Sequence, residues 1–260
     1  MSDDDTGGSV GDEIARAATK GGRWHAEYLG HAYRSAVAGA LARSGRERPA
    51  ILKTDLWNEC LGGPRDILGH LQERVAGTLV AVDISHAVCA DGRARVPGVL
   101  VVQADIAALP FRAAAFDAVL DLSTLDHLTV PAAAQAVGEY GRVLRDGGVL
   151  LVVFWQRNAS MRLRLLVKRW LGRRDNPDQR YLERADVEAA LGGGLAVVEE
   201  FVAGVLFYPP QWLTGRLLGR LSDRALGRFL DWLVRVERAA APRRLLRHLA
   251  GLYGFVAVRR

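Results

Sequence analysis

The sequence predicts an α/β protein of three layers: a doubly wound, mostly parallel, seven-stranded sheet with helices on both faces. Three observations carry this. Short apolar runs alternate with amphipathic stretches between residues 50 and 156. The runs are apolar at nearly every position, as in strands covered on both faces, not at every second position. Several runs end in a polar residue, namely Asp55, Asp83, Asp105 and Ser123. Right-handed crossovers place all of these ends on one edge of the sheet, where ligands of such folds bind.

The elements follow in order. Residues 12–45 read as N-terminal helix, with Trp24, Tyr28, His31 and Ser35 at helical spacing on one face. That stripe is expected to pack on the body of the protein or to line a pocket. "AILKTDL" (50–56) is a short buried strand and "PRDILGHLQERV" (64–75) an amphipathic helix. "TLVAVDIS" (78–85) and "GVLVVQAD" (98–105) are strands ending in an acid, with a short helix at 86–95 between them. "FDAVLDLS" (116–123) is the fourth strand and "GVLLVVFWQ" (148–156) the fifth. The helix between them is punctuated by Pro131 at its start and "DGG" past its end. Further strands are expected at 195–207 and 253–260. The core is thus expected at 12–156, 181–208 and 251–260, preceded by a disordered tail at 1–11. Two basic helical insertions, 157–180 and 209–250, are expected to cap the binding edge.

Composition narrows the function classes. Half the residues are hydrophobic and a quarter charged, an ordinary globular balance. Cys60 and Cys89 stand far apart, which gives neither a disulfide framework nor zinc-ligand spacing and points to a reducing cytoplasm. The start, "MSDDDTGGSVGDE", lacks the basic and apolar regions of a signal peptide. No apolar run approaches the ~20 residues of a membrane span. Charge is uneven. Residues 1–156 carry 15 basic and 19 acidic side chains, net −4; residues 157–260 carry 20 and 10, net +10.

The blocks "AVDIS", "QADIAALPFRAAAFDAVLDLSTLDHL" and "EYGRVLRDGGVLLVVFWQRN", in this order and spacing, resemble the class I S-adenosylmethionine-dependent methyltransferases. The similarity is greatest to the type 11 and ubiquinone/menaquinone kind, and it covers about residues 50–156. The resemblance implies roles by position. Asp83 would hold the ribose hydroxyls, and a carboxylate is a strong acceptor for two neighbouring hydroxyls. Ile84 would pack on the adenine face. Asp105 would accept the adenine amino group, with the backbone N–H of Ile106 beside it. Leu109, Pro110 and Phe111 would form an apolar wall, and Ser123 would lie near the methionine end. The cofactor implied is S-adenosylmethionine, with S-adenosylhomocysteine as product. His127, after the fourth strand, is the candidate base, with Asp126 to orient it or the substrate. His25 and His31 are further candidates. Structural readings stand beside these: the acids as turn or cap residues, and His127 as a packing histidine.

The resemblance departs at one place. Where the family has an acid and then a glycine run, this chain reads Lys53-Thr54-Asp55-Leu56-Trp57-Asn58-Glu59-Cys60-Leu61, with Gly62 and Gly63 arriving late. Either Lys53 or Asp55 stands at the acid's place. Leu or Trp at a positive φ would be strained, so the backbone must take another path. In one outcome the loop is rebuilt: Lys53 meets the methionine carboxylate, and Asp55 or Glu59 meets the amino group or sulfonium. In the other, Trp57 and Glu59 fill the slot. The protein is then a scaffold, or an enzyme of other chemistry such as a cyclase.

The basic insertions complete the reading. "MRLRLLVKRWLGRR" (161–174) has six basic residues and no acid among its apolar ones, and Arg216, Arg220, Arg224 and Arg228 recur every four residues. Their apolar faces either pack on the sheet or lie on an anionic membrane surface. With "FYPPQWL" (207–213), they suit a small or lipid-like acceptor. No RNA-binding motif accompanies the charge, so nucleic acid is not the expected partner.

Overall fold

Seven strands form one sheet in the computed structural model, which describes residues 22–157, 159–172, 182–192, 194–204, 218, 220–240 and 243–260. The elements in chain order are α1 (Gly22–Ser44), β1 (Ala50–Thr54), α2 (Trp57–Leu61), α3 (Ile67–Gln72), β2 (Thr78–Asp83), α4 (His86–Arg95), β3 (Leu100–Gln103) and β4 (Phe116–Leu122). Then follow α5 (Val130–Val143), β5 (Leu144–Trp155), α6 (Ala159–Trp170), α7 (Arg184–Ala190), β6 (Leu195–Ala203), α8 (Asp223–Ala240), α9 (Arg244–Leu249) and β7 (Leu252–Arg259). Among the described residues, short 3-10 turns at Gly63–Arg65 and Leu125–His127 complete the set.

The strand order is β3-β2-β1-β4-β5-β7-β6. The first five strands pair in parallel, and β7 runs antiparallel between β5 and β6. The order reverses between β1 and β4, so the switch point lies where Asp55 and Ser123 leave the sheet.

Side chains alternate across the sheet, as period two demands. Ile51, Leu79, Ala81, Ala118, Leu120 and Leu151 face one helical layer, which holds α1, α3, α4 and α8. Leu52, Val80, Val82, Val119, Leu150 and Val152 face the other, which holds α5 and α7. Both faces are covered, and the strands read as continuous apolar runs for that reason. Local signals set the helix starts. Asp66 accepts the Gly69 N–H at 2.7 Å, Ser85 caps α4, and Thr129 caps α5 with Pro131 in its first turn.

The sequence expectations meet the structure unevenly. The stripe on α1 packs inward where it is described. Tyr28 is fully buried, His31 pairs with Asp231 at 2.6 Å, and Ser35 receives Arg238, both partners lying on α8. The tail at 1–11 and the side chains of Trp24 and His25 lie outside the described residues, as do 207–213 and Arg216. The helix expected at 64–75 is shorter, because Gly63–Arg65 forms a 3-10 turn and Asp66 caps a new start. β5 begins at Leu144, before the glycines, because the sheet tolerates a register shift between Phe116 and Ala118. The block at 209–250 is not a separate cap throughout. Leu226, Leu230, Leu233 and Val234 of α8 belong to the core cluster, where each buried leucine is worth roughly 1.5–3 kcal/mol. The four-residue arginine repeat is not carried by one helix, since Arg220 lies in a turn before α8 begins.

One ion pair at the far edge of the sheet gives a pH prediction. Asp117 accepts the Ala50 N–H at 2.8 Å and Arg145 at 2.7 Å. Burial opposes its charge, but these partners outweigh it and hold the carboxyl below the ordinary aspartate value of 3.8. A depressed carboxyl stabilises the fold above its unfolded pKa, and the gain is lost as pH falls through the folded value. Urea melts at pH 7 and at acid pH should show a smaller acid loss for Asp117→Asn than for the parent chain; equal losses would assign the acid sensitivity elsewhere.

Candidate functional site

The loop after β1 solves the glycine problem with an aspartate. Asp55 takes a left-handed backbone, φ 64°, while Leu56 stays at φ −115°. Asp visits this region more readily than Leu or Trp. The strain, of order 1 kcal/mol, is offset locally. The Asp55 N–H donates to the Val82 carbonyl at 2.8 Å, and its Oδ1 accepts the Trp57 N–H at 2.7 Å. Gly62 and Gly63, at φ 67° and 79°, close the loop behind α2. Helix α1 lies directly against it. A Cβ on Gly30 would stand 2.1 Å from the Pro64 carbonyl oxygen, and Arg34 donates to that same oxygen.

Beneath the loop sits a buried ion pair. Lys53 is 1% exposed and its Nζ lies 3.0 Å from Glu59 Oε2. It also donates to the Thr54 and Asp55 carbonyls, and Glu59 Oε1 accepts the Ile67 N–H at 3.2 Å. Burial pulls the lysine toward its neutral form, but Glu59 and Asp55 outweigh it and hold its pKa above the ordinary value. Lys53 and Glu59 therefore bind each other and the loop's own backbone. The expectation that Lys53 reaches out to a carboxylate gives way to an inward salt bridge, and Glu59 likewise points in. Trp57 is half-buried and packs against the core cluster.

The acids at β2 and β3 stay accessible. Asp83 is half-buried; its Oδ2 accepts the Leu56 N–H at 3.0 Å and its Oδ1 the Ser85 N–H at 2.8 Å. Each carboxylate oxygen has a second lone pair, so Asp83 holds the loop in place with acceptor capacity left over. Ile84 beside it is 69% exposed. Asp105 is exposed and accepts the Ala107 N–H at 2.8 Å; Ile106 is buried below it. Because β2 and β3 pair in register, with Asp83 opposite Gln103, the two acids leave adjacent strands at the same edge.

The end of β4 is fixed by a polar network. Ser123 is left-handed, φ 70°, and shares a 2.9 Å hydrogen bond with the Tyr33 hydroxyl of α1. Burial pushes the Tyr33 phenol up to about 12, so it remains protonated. Asp121, fully buried, accepts Tyr140 at 2.6 Å and the Thr124 N–H at 3.0 Å, and Thr124 meets Thr54 at 2.8 Å. Burial raises the Asp121 carboxyl, partly offset by Tyr140 and the turn N–H groups. This network shapes the Leu125–His127 turn, from which His127 emerges exposed. The Asp55 carboxyl stands above its ordinary value, raised by burial and only partly offset by Lys53 and the Trp57 N–H. Asp126 turns inward, fully buried, toward the Trp155 N–H at 3.4 Å.

The structure thus gathers Asp55, Asp83, Ile84, Asp105, Ser123 and His127 along the carboxyl edges of β1 to β4. It buries Lys53, Ile106 and Asp126. Of the histidines weighed as bases, His31 is tied to Asp231 instead. Tyr33, Asp121 and Tyr140 join the site without a signal in the sequence. Tyr33 falls off the Trp24–Ser35 stripe, and Asp121 sits within an apolar run where only burial reveals it. A cavity of about 300 Å³, lined by Arg46, Asp117 and Asp146 among others, lies at the opposite edge. Among the described residues no cluster of His, Cys, Asp and Glu could hold a metal ion, and no helix is long and apolar enough to cross a membrane.

This strand order, with its antiparallel seventh strand and acid-lined carboxyl edge, is the class I methyltransferase fold. The methyltransferase domain family (Methyltransf_11) matches residues 62–152, starting just after the glycine-free loop. Probable S-adenosylmethionine-dependent methyltransferases of Mycobacterium tuberculosis are 40% identical over 78 residues, 30% of this chain and 28% of theirs. A probable S-adenosylmethionine-dependent methyltransferase of Mycolicibacterium smegmatis matches at the same identity over 30% of its length. The chain therefore spans less than a third of the length of these relatives. Among solved structures, geranyl diphosphate C-methyltransferase from Streptomyces coelicolor A3(2) aligns with a TM-score of 0.57 and 12% identity, over 87% of this chain and 79% of that one. The [4+2]-cyclase SpnF aligns at 0.55 and 17%, over 87% and 80%. At such identities these two show the fold alone.

Proposed function

We propose that the protein is an S-adenosylmethionine-dependent methyltransferase acting on a small or lipid-like acceptor. The observation that carries this is the edge of β2 and β3: Asp83 and Asp105 leave adjacent strands with Ile84, 69% exposed, between them in sequence. Two open carboxylates beside an exposed apolar platform suit a nucleoside, which offers hydroxyls, an exocyclic amine and a flat ring. The residues present therefore fit the cofactor. When bound, S-adenosylmethionine supplies an electrophilic methyl group on a sulfonium.

The chain's own residues do the rest. Asp83 accepts the ribose hydroxyls while keeping the loop closed through Leu56. Asp105 accepts from the adenine amine, with the Ile106 N–H beside it, and Ile84 covers one ring face. Asp55, held by Trp57 and Val82 at the switch point, would offer its carboxylate to the cationic end of the cofactor. Ser123 sits at the neighbouring strand end, fixed by Tyr33. Lys53 and Glu59 contribute from below, as the support of the loop. Lining up an acceptor in such a site can supply ~7–11 kcal/mol of the barrier by orientation alone. His127, exposed on its turn, takes the proton when the acceptor is a hydroxyl or an acidic carbon.

Calorimetric titration with S-adenosylmethionine and S-adenosylhomocysteine tests this. Micromolar binding of both is expected. Folded protein that binds neither would turn the reading toward a scaffold or another chemistry on the same fold, as the cyclase neighbour illustrates.

A further inference from the structure

Helix α6 carries its apolar stripe on the outside. Leu163, Leu166, Val167 and Trp170 fall at i, i+3, i+4 and i+7, one face of a helix. They are 63%, 63%, 47% and 85% exposed, and Leu171 beyond them is 54% exposed. The helix is attached by its other side, where Met161 is fully buried and Leu165 half-buried. Scattered single apolar residues on a surface are ordinary; five within nine residues form a patch that marks an interaction site.

The charges that the helix itself carries are of one sign. Residues 157–174 contain no acid, and Arg162 and Arg169 lie exposed along the margin of the stripe. Arg162 also reaches Glu183, at 2.9 Å with the arginine side chain still 62% exposed. Helix α6 starts at Ala159, just past the carboxyl end of β5, so it stands at the edge of the sheet where the candidate site opens. Gln156 anchors the approach by donating to the Arg247 and Ala250 carbonyls.

We propose that α6 is a docking surface for an anionic lipid bilayer, lying flat with Leu163, Leu166, Val167 and Trp170 in the acyl boundary and the basic side chains at the headgroups. An apolar face rimmed by exposed arginines, ending in Trp, is the composition of an interfacial helix. A nucleic acid would answer the charge but give no return for the exposed leucines. The docking stands apart from methyl transfer, and it would bring the open edge of the site to the membrane surface.

The test is co-sedimentation of the full chain with phosphatidylcholine vesicles, with and without phosphatidylglycerol. Binding is expected only to the anionic vesicles and should weaken with salt. Arg162→Gln with Arg169→Gln, both exposed, should lower the affinity about 30-fold. Leu163→Ser, Leu166→Ser and Trp170→Ser together should lower it more than ~100-fold. All these positions lie on the helix surface, and unchanged thermal melting would show that the variants are folded. The proposal is overturned if folded protein stays in the supernatant, or if the serine variant binds vesicles as well as the parent. It is equally overturned if the parent binds poly(U) but not vesicles, or forms a dimer that the serine variant dissolves and no vesicle complex.

Discussion

Replacing Glu59 by alanine is expected to destabilise the protein by about 3–5 kcal/mol, the range seen when one partner of a buried ion pair is removed. The reason lies in Lys53. Its ammonium is 1% exposed and meets Glu59 at 3.0 Å; its remaining acceptors, the Thr54 and Asp55 carbonyls, are neutral. Without Glu59 the charge stays buried with no counter-charge in contact, and the Ile67 N–H loses its acceptor as well. The double variant Lys53→Met, Glu59→Leu should recover most of the loss, because swapping a buried pair for apolar side chains of similar volume is often neutral. About 1 kcal/mol should remain missing for the Ile67 hydrogen bond. Urea denaturation of the two single variants and the double measures the coupling. Single effects that simply add would mean the pair holds nothing together.

Asp83→Ala should weaken S-adenosylhomocysteine binding by about 10- to 150-fold, since hydrogen bonds to a charged group contribute ~1.5–3 kcal/mol. Two causes combine. On the proposed cofactor assignment the ribose loses its acceptor, and the Leu56 N–H loses the oxygen that holds the loop. Asp83→Asn separates them, because the amide keeps one acceptor oxygen and loses the charge; its affinity should fall between parent and alanine. Calorimetry gives the affinities and thermal melting the loop's share. An affinity unchanged in Asp83→Ala would make this residue a backbone cap and nothing more.

These two sites differ in how far the sequence foretold them. Asp83 and Asp105 could be placed because a strand end is a local feature: an apolar run, then an acid, then a capping Ser85 or a turn. Ile84 could be placed for the same reason, one step beyond the edge. The pairing of Lys53 with Glu59 was not legible. A lysine beside a strand end looks outward on paper, and only the packing of α1 and α3 over the loop turns it inward. Asp121 and Tyr140 escaped for the converse reason. A carboxylate inside "FDAVLDL" has no periodic signature, and its partner lies on a helix nineteen residues on.

The sequence by itself determined the alternation of strands and helices, the crossover sense, the caps and the acids along one edge. All of these depend on residues a few positions apart and on chirality. Tertiary structure alone decided that β7 inserts between β5 and β6, where Gly254 leaves room for the Phe201 ring, 2.3 Å from where a Cβ would stand. It decided too that α8 joins the core while α6 turns Leu163 and Leu166 outward, although both helices are basic and amphipathic. Amphipathicity fixes that a helix has an apolar face. What that face meets depends on the surface available when the chain closes, and that is a property of the whole fold.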